Sequence, residues 1–476
     1  MLALGAGLVA VCAQATSFWS CTWNSQGSLP ITLPPVAPNL AITVKPSTIS
    51  LGQSATLSWS SNSVTACVAS GAWSGPQPPQ GTRTVTPTTT GTLAYVLGCS
   101  TPIGSLAEST VLTVQPAAPA SARSFTHARR GTGVLRTNLV ADVAGTTALN
   151  TDPNLGEPWG VVLLEELPAV VTSRESNTST SYDGAGSARP SSQPLQIHLP
   201  SGPLGAAFGA AGVVINSSDG FVVSAGGRLA PARLLYAGSG GMIAGWSPEV
   251  DDHHALIAYA ADDAAVYTGV AIAISSTPSE SRLYAADFRN AKVDVFDRAF
   301  RKQTRSPTRF AFAEPALPPR YAPFGVAVIG ELVYVAYAQR PTPATPDPVS
   351  SPGAGLVAVF TADGDFITRL VTSGGALNAP WAMVRAPADS SAPFAGTLLV
   401  GNTGDGRINA FDTATGALLG TLADATGAAL VVPSLHGLAF GNGFAGQPRP
   451  TLFFTAGAHD GAQGWYGRID FGAAVR

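Results

Sequence analysis

A short motif that recurs six times in the C-terminal part of the chain constrains the fold more than any other feature. In each copy a small residue is followed by two apolar residues, and successive copies lie 52 to 57 residues apart. The small residues are Gly160, Gly212, Gly269, Gly325, Ala382 and Gly437. A repeat of this length is typical of β-propellers, in which sheets arranged around an axis bury their faces against one another. The motif therefore predicts an all-β, six-bladed propeller between residues 134 and 473.

In most units a second strand follows, and then a third that ends in an aromatic or apolar residue plus Asp, Thr or Ser. Second strands are predicted at 282–287, 332–337, 398–402 and 452–457, and third strands at 294–297, 358–361, 409–412 and 467–470. A small residue at the head of the innermost strand fits a propeller because a larger side chain would collide with neighbours at the axis. The alternatives are a solenoid, which as a parallel β-helix would repeat every 20 to 25 residues or so, and an array of sandwiches, which would lack one small anchor per unit.

Closing such a ring requires a strand from the other end of the repeat, since an open ring would leave sheet edges unpaired. Segment 134–140 is predicted to supply this strand by completing the sheet that ends with 465–471. Insertions rich in Pro, Ser and Gly at 185–205 and 339–354 are predicted to be loops over one face of the disc.

A different pattern occupies residues 41–115. Apolar and polar residues alternate at 41–44, 55–59, 83–86, 93–97 and 109–114, which predicts a small β-sandwich. Pro46-Ser47, the run from Gly52 to Trp59 and the closing strand give this segment a resemblance to bacterial immunoglobulin-like modules, which implies a spacer or adhesive unit. Segments 16–40 and 116–133 are expected to be linkers.

The first residues have features of an export signal. Residues 2–11 are an apolar run too short to span a bilayer, and Ala13-Gln14-Ala15 has the small-x-small pattern of a signal-peptidase site, so cleavage is expected after Ala15. No Lys or Arg precedes Lys45, so the usual basic region is missing. A buried apolar strand and a lipid anchor at Cys12 are the alternatives.

Cysteine usage agrees with a secreted or periplasmic protein. Cys67 and Cys99 lie in the same small domain and are expected to form a disulfide, with two free buried thiols as the alternative. Such a bridge would stabilise the domain by roughly 3–4 kcal/mol on the chain-entropy estimate. Cys12 is expected to leave with the signal, and Cys21 has no assigned partner.

Composition excludes two classes of protein. With 45% apolar and 12% charged residues, the chain is too apolar to be disordered. A formal charge of −3 removes the electrostatic basis for nucleic-acid binding, which requires clustered Lys and Arg. No segment after the signal is long and apolar enough to be predicted as a membrane span.

Several stretches of the repeat region resemble a family of exported bacterial β-propellers of uncharacterised function. The resemblance covers about residues 135–473 and is carried by 138–142, 152–155, 158–160, 241–246, 321–324, 374–381 and 401–409. It implies the same propeller fold. It implies no particular reaction, because none is established for that family.

Candidate site residues are the polar groups that follow the repeat's strands, since propeller sites usually lie at the axis near the strand ends. They are Asp287, Asn402, Asp405 and Asp460 as metal ligands, with Asp152, Asn154, His436 and His459 as further axial candidates. Carboxylate and amide oxygens from several blades would suit Ca²⁺, the one cofactor considered. The competing interpretation is that Asp in an Asp-Gly pair, as at 405–406 and 460–461, caps a turn.

Other catalytic and metal-binding patterns are weaker or missing. His253 and His254 follow two aspartates in a loop and are expected to lie in a solvated turn. Metal binding by this pair is the alternative. The sequence contains no Gly-x-Ser-x-Gly elbow, His-Glu-x-x-His or Cys-x-x-Cys motif, and its Gly-rich stretches lack the Lys of a phosphate loop.

Two functions from different classes remain. The first is an exported, monomeric binding module that presents a propeller face to a protein or carbohydrate, with the immunoglobulin-like unit as spacer. The second is a Ca²⁺-dependent hydrolase or lactonase with an axial site, which rests on analogy between folds.

Overall fold

The structure is a computed structural model of the chain. It describes residues 10–15, 18–23, 31–32, 38–50, 53–87, 89, 91–101, 104–115, 133–163, 166–190, 195–202, 205, 207–274, 281–306, 309–341, 347–388, 394–457 and 463–471. The chain divides into two compact units, Met1–Ser121 and Ala122–Arg476. Within the described ranges no helix has the length and apolar character needed to cross a membrane.

The described residues of the first unit form strands in three sheets. The strands are β1 (Ala10–Ala15), β2 (Phe18–Trp23), β3 (Ile31–Thr32), β4 (Asn39–Lys45), β5 (Thr48–Ser50), β6 (Ala55–Asn62), β7 (Ala66–Gly71), β8 (Gly75–Gln77), β9 (Gly81–Val85), β10 (Gly91–Thr101) and β11 (Gly104–Gln115). Strands β1 to β3 form one sheet, β4, β6 and β9 the second, and β5, β11, β10, β7 and β8 the third. The predicted export signal overlaps β1, and its cleavage stays a prediction.

The second and third sheets share one hydrophobic core. Leu57 and Trp59 of β6 pack in it with Leu97 and Leu112 of the other sheet. This arrangement follows because successive side chains of a strand point to opposite faces of the sheet. In β4, for example, every second residue is buried and the residues between them are exposed. The predicted disulfide between Cys67 and Cys99 is present, and it joins directly opposed residues of β7 and β10 within one sheet. Antibody domains place their disulfide between the two sheets instead.

In the second unit, the described residues form six sheets of three to five strands and one separate hairpin. Its strands are β12 (Leu135–Ala141), β13 (Asn150–Thr151), β14 (Pro158–Leu163), β15 (Ala169–Ser173), β16 (Thr178–Tyr182), β17 (Gln196–His198), β18 (Ala210–Ile215), β19 (Val222–Ala225), β20 (Arg228–Pro231), β21 (Leu234–Gly238), β22 (Met242–Trp246), β23 (Leu256–Ala260), β24 (Tyr267–Ala273), β25 (Arg282–Asp287), β26 (Lys292–Phe296), β27 (Tyr321–Ile329), β28 (Leu332–Gln339), β29 (Leu356–Phe360), β30 (Phe366–Val371), β31 (Pro380–Arg385), β32 (Leu398–Asn402), β33 (Ile408–Phe411), β34 (Leu418–Thr421), β35 (Leu435–Phe440), β36 (Leu452–Ala456) and β37 (Trp465–Asp470).

The sheets follow one another along the chain. We number them sheet 1 (β14 to β17), sheet 2 (β18 and β21 to β23), sheet 3 (β24 to β26), sheet 4 (β27 to β30), sheet 5 (β31 to β34) and sheet 6 (β35 to β37 with β12 and β13). Each sheet begins with an inner strand that carries the small-residue motif, and each inner strand contacts the inner strand of the next sheet, with β35 returning to β14. The contacts therefore close a ring, and the prediction of an all-β propeller is confirmed.

Ring closure uses the predicted strand. β12 pairs antiparallel with β37, so that Arg136 lies opposite Ile469. Leu139 and Ile469 are both buried members of this sheet. The strand supplied from the start of the repeat covers the edge that β37 would otherwise leave open.

Antiparallel pairing defines two faces of the ring. The start of each inner strand lies beside the end of its second strand, as Tyr267 lies beside Asp287 and Pro380 beside Asn402. We call the face at these ends the upper face, and the face where the inner strands end the lower face. Arg385, the last residue of β31, belongs to the lower face.

Candidate functional site

Every inner strand has a β-bulge at its small residue or directly before it. In β24, for example, Tyr267 pairs with Asp287 and Gly269 with Ala286, so Thr268 is an extra residue without a partner in the ladder. A bulge re-aims the side chain of the extra residue. The residues at this position are Trp159, Ala211, Thr268, Phe324, Trp381 and His436, one from each sheet.

These side chains meet across the axis, where we call them the axial layer. The ring of Trp159 lies 6.2 Å from Phe324, three sheets away, and 6.0 Å from Trp381, with the rings edge-on. The indole Nε1 of Trp381 donates a hydrogen bond to the carbonyl of Thr268 at 2.7 Å. Contacts between sheets that are not neighbours in the ring show that this layer fills the centre of the propeller.

The small residues directly below the layer allow the inner strands to approach closely. A Cβ on Gly212 would lie 2.8 Å from the backbone nitrogen of Val270, and one on Gly437 would lie 2.6 Å from the carbonyl oxygen of Trp159. Below them is a cavity of about 120 Å³, whose lining includes one branched or long apolar residue from each sheet. These are Val161, Val213, Val270, Val326, Met383 and Leu438. These lining side chains are therefore apolar below the layer.

His436 is the titratable member of the axial layer. Its ring stacks on Trp159 with centroids 4.1 Å apart. Burial lowers the pKa of His436 to about 3, and the nearby positive charge of Arg174 acts in the same direction. The imidazole is therefore neutral at physiological pH.

Arg174 covers the axial layer from the upper face. Its guanidinium lies over the Trp159 ring at 5.2 Å, a cation–π distance. It also donates to the Glu157 carboxylate at 2.7 Å and lies 3.6 Å from the half-exposed carboxylate of Asp347. Above the aromatic centre, Arg174 is therefore paired with two carboxylates.

Asp287, one of the predicted metal ligands, belongs to a cluster of three carboxylates. Oxygens of Asp263, Asp287 and Asp294 lie within 4.8 Å of one another, the spacing of a possible metal site. Asp287 and Asp294 are almost fully buried. The Asp287 carboxylate also accepts hydrogen bonds from the backbone of Val266 at 3.1 Å and the side chain of Asn290 at 2.8 Å.

Two lysines pair with these carboxylates. Lys292 Nζ lies 2.5 Å from Asp263, 3.1 Å from Asp294 and 3.6 Å from Asp287. Lys302 Nζ lies 2.9 Å from Asp294 and 3.3 Å from Asp263. We call these five residues the ion-pair cluster.

The pKa shifts in the ion-pair cluster follow burial and pairing. Burial raises the pKa of Asp287, although hydrogen bonds from Asn290 and Val266 oppose the shift. Burial would raise the pKa of Asp263 as well. The hydrogen bond and the charge of Lys292 outweigh burial, so the pKa of Asp263 is lowered. For Lys302 burial alone would lower the pKa, and its hydrogen bond with Asp294 raises it instead.

Asn402 and Asp405 lie in a turn of sheet 5. Asn402 Nδ2 donates to the Asp405 carboxylate at 3.0 Å and to the carbonyl of Ala376 at 2.9 Å. Asp405 also accepts from the backbone nitrogen of Arg407 at 3.2 Å. Asp405 therefore caps the turn, while the buried Asn402 Oδ1 has no hydrogen-bond partner in the described part of the chain.

Asp152 and Asn154 lie beside sheet 1. Asp152 accepts hydrogen bonds from the hydroxyl of Tyr182 at 2.7 Å and from the backbone nitrogen of Asn154 at 2.9 Å. The side-chain oxygen of Asn154 accepts from Gln196 at 3.0 Å. The described candidates therefore lie in separate local networks: Asp152 with Asn154 beside sheet 1, Asp287 in sheet 3, Asn402 with Asp405 in sheet 5, and His436 at the axis.

His459 and Asp460 lie outside the described residues. Asp251 accepts hydrogen bonds from the backbone nitrogens of His253 and His254 at 2.9 and 2.8 Å, which is the arrangement of a capped turn.

Sequence reasoning missed the residues that complete two of these networks. Asp263 precedes β24, Lys292 begins β26 and Lys302 follows β26, and only the folded sheet brings them to Asp287. The positions of the axial layer can be found in the sequence, because each of its members directly precedes the small residue of the repeat.

Comparison with known proteins identifies relatives but no activity. No family model matches the chain. It is 33% identical over 316 residues to the uncharacterised protein L690 of Acanthamoeba polyphaga mimivirus, covering 65% of this chain and 80% of that protein. It is 28% identical to the uncharacterised protein R648 of the same virus, covering 72% of this chain and 81% of that protein. The sequence resemblance pointed to bacterial proteins, whereas these relatives are viral.

Among solved structures, virginiamycin B lyase from Staphylococcus aureus is similar over 71% of this chain and 99% of its own, with 12% identity and a TM-score of 0.40. At that level the likeness indicates neither an activity nor a ligand for this chain. The sequence relationship is much stronger, since it covers 80% of the L690 protein at 33% identity. The chain therefore belongs to the family of the uncharacterised mimivirus protein L690.

Proposed function

We propose that this chain is an exported binding module whose six-bladed propeller contacts a protein or carbohydrate through its upper face. The observation that carries the proposal is the filled axis. Trp159, Phe324, Trp381 and His436 occupy the place where axial ligands of a propeller would otherwise bind. Contacts with a partner are then made on the surface of the disc.

Two features favour the upper face. Arg174 and Asp347 lie at its centre above the aromatic layer, and Asp347 is half exposed, with 47% of its side chain accessible. Arg320, directly before β27, is exposed on the same face. Exposed charges next to a rigid aromatic centre are suited to polar recognition. The first unit acts as an immunoglobulin-like spacer in this proposal, and the chain works as a monomer.

A Ca²⁺-dependent hydrolase or lactonase is the second candidate. It is favoured by the three carboxylates of Asp263, Asp287 and Asp294. Against it stands the position of Lys292 and Lys302, because an entering cation would have to displace both ammonium groups from the carboxylates. Ion pairing in a protein interior is lost only at considerable cost in free energy.

The test first identifies a ligand and then maps it to a face. The purified chain is screened against immobilised polysaccharides and extracellular proteins, and the selected ligand is titrated by biolayer interferometry. Charge reversals Asp347→Lys and Arg320→Glu on the upper face are compared with Arg385→Glu on the lower face.

The proposal predicts that both upper-face variants weaken binding at least about fivefold while the lower-face control does not. Circular dichroism and thermal melting confirm that each variant is folded. Loss of binding in Arg385→Glu alone would contradict the choice of face. Saturable turnover of a lactone or ester by the wild-type protein would contradict a purely binding role.

A further inference from the structure

A second cavity lies away from the axis, between sheets 1 and 2. It has a volume of about 660 Å³, within the range of roughly 300–1,000 Å³ that is usual for small-molecule sites. We call it the rim pocket. Its lining includes Val170 and Arg189 from sheet 1, Arg233, Leu234 and Trp246 from sheet 2, and Phe444 from sheet 6.

The body of the rim pocket is apolar. Val170, Leu234 and Trp246 are buried members of the core that sheets 1 and 2 share. Phe444 stands at the edge with 42% of its surface exposed. An apolar lining with an exposed aromatic residue beside it favours a ligand that carries an aromatic or aliphatic body.

The indole of Trp246 contributes an unused hydrogen-bond donor. The side chain lines the pocket and only 7% of the residue is exposed, yet its Nε1 has no hydrogen-bond partner in the described part of the structure. Buried polar groups in proteins are nearly always paired, and leaving one unpaired costs free energy. An acceptor atom on a bound molecule would remove this cost.

One charged group of the lining, Arg233, offers an anion a partner. Two arginines and one glutamate, Glu166, line the pocket. Arg189 is held by the Asp183 carboxylate at 2.8 Å, so it is already neutralised. Arg233 is exposed, and among the described residues it has no carboxylate partner. The unpaired guanidinium is free to bind a carboxylate or sulfonate, for which arginine geometry is well suited.

We propose that the rim pocket binds a small organic anion with an apolar body, of the aromatic carboxylate or sulfonate class. Arg233 pairs with the anionic group, Trp246 Nε1 donates to an acceptor, and the apolar lining covers the ring. This site shares no residue with the proposed upper-face contact. Each proposal can therefore fail while the other stands.

The test uses 8-anilinonaphthalene-1-sulfonate, an aromatic anion, and its uncharged counterpart N-phenyl-1-naphthylamine, both followed by fluorescence with the full-length folded protein. Arg233→Gln removes the charge at an exposed position, and Trp246→Phe removes the N–H while keeping most of the ring. Arg228→Gln, an exposed arginine of β20 outside the pocket lining, is the matched control.

The proposal predicts one saturable site per chain for the sulfonate. Arg233→Gln should weaken its binding about fivefold, which is the size expected of one partly exposed ion pair. The same substitution should leave the affinity for the neutral probe unchanged. Trp246→Phe should weaken binding of the sulfonate, and Arg228→Gln should change the affinity for neither probe.

Two results would overturn the proposal. One is a sulfonate affinity that Arg233→Gln leaves intact, since the pocket would then recognise no charge. The other is the absence of saturable binding of either probe to folded wild-type protein. Because Arg233 is exposed, its variant is expected to fold, so the result does not depend on the more buried Trp246 variant.

Discussion

Replacing Lys292 with methionine should show how much the ion-pair cluster depends on its lysines. Methionine keeps most of the apolar length of the side chain and removes the charge. Lys292 Nζ contacts carboxylates of Asp263, Asp294 and Asp287 at 2.5, 3.1 and 3.6 Å. The last two residues are 1% and 0% exposed, so water cannot replace the lost ammonium group.

The magnitude follows from this burial. Removing one partner of a buried ion pair costs about 3–5 kcal/mol, because the other charge stays buried without compensation. Lys302 remains 2.9 Å from Asp294 and offsets part of that cost. We therefore expect Lys292→Met to lower the free energy of unfolding of the propeller by about 3 kcal/mol at pH 7.

The variant should also change the pH dependence of stability. Burial raises the pKa of Asp287 in the folded protein. A carboxyl whose folded pKa exceeds its unfolded pKa binds more protons when folded, so it costs stability as the pH rises through that interval. Without Lys292 this pKa should rise further. The deficit of the variant should therefore shrink as the pH falls from 7 towards 5.

The assay is equilibrium unfolding in guanidinium chloride at both pH values, followed by tryptophan fluorescence. Arg298→Gln is the control, because Arg298 pairs with Asp219 at 2.9 Å on the surface and should contribute less than about 1 kcal/mol. The reasoning would be refuted if Lys292→Met cost no more than the control, or if its deficit grew at lower pH.

Three further predictions concern the framework. Reducing the bond between Cys67 and Cys99, which closes a separation of 32 residues, should destabilise the first unit by roughly 3–4 kcal/mol and leave the melting of the propeller unchanged in calorimetry. Thr455→Val should destabilise the propeller by about 1–3 kcal/mol in chemical unfolding. The Thr455 hydroxyl accepts a hydrogen bond from the backbone nitrogen of Gly437 and donates one to the carbonyl of Trp159 in sheet 1. A change below about 0.5 kcal/mol would count against this role. Cysteines introduced together as T137C and R468C, which lie opposite each other in β12 and β37, should form a disulfide detectable by peptide mapping, whereas persistent free thiols would contradict ring closure.

The architecture of the propeller was readable from the sequence because two of its causes are local. Inner strands crowd at the axis, so each carries a small residue at the same place, and Gly212 and Gly437 have no room for a side chain. The outer strands were not predicted. Strands such as β23 and β34 are short and only partly buried, so apolar and polar residues alternate only weakly in them.

The candidate site was predictable only in part. Asp287 follows a recognisable strand, and its placement at the end of β25 is confirmed. Its neighbours Lys292 and Lys302 are determined by the pairing of β25 with β26 and by the loop that follows, and no local pattern of apolar residues encodes such a contact. The bulges that aim Trp159 and His436 into the axis belong to the register of paired strands, which the order of residues does not reveal by itself.

Calcium titration of the metal-free protein tests most directly whether the ion-pair cluster is a closed charge network or a metal site. The protein is stripped with EDTA, titrated with CaCl₂ in a calorimeter, and melted with and without the ion. A ligand that binds only the folded state must raise the melting temperature, by several degrees or so for tight binding. With Lys292 and Lys302 in place, we predict no saturable heat and no shift in melting temperature. Stoichiometric binding with a shift of several degrees, abolished by Asp287→Asn, would contradict the account.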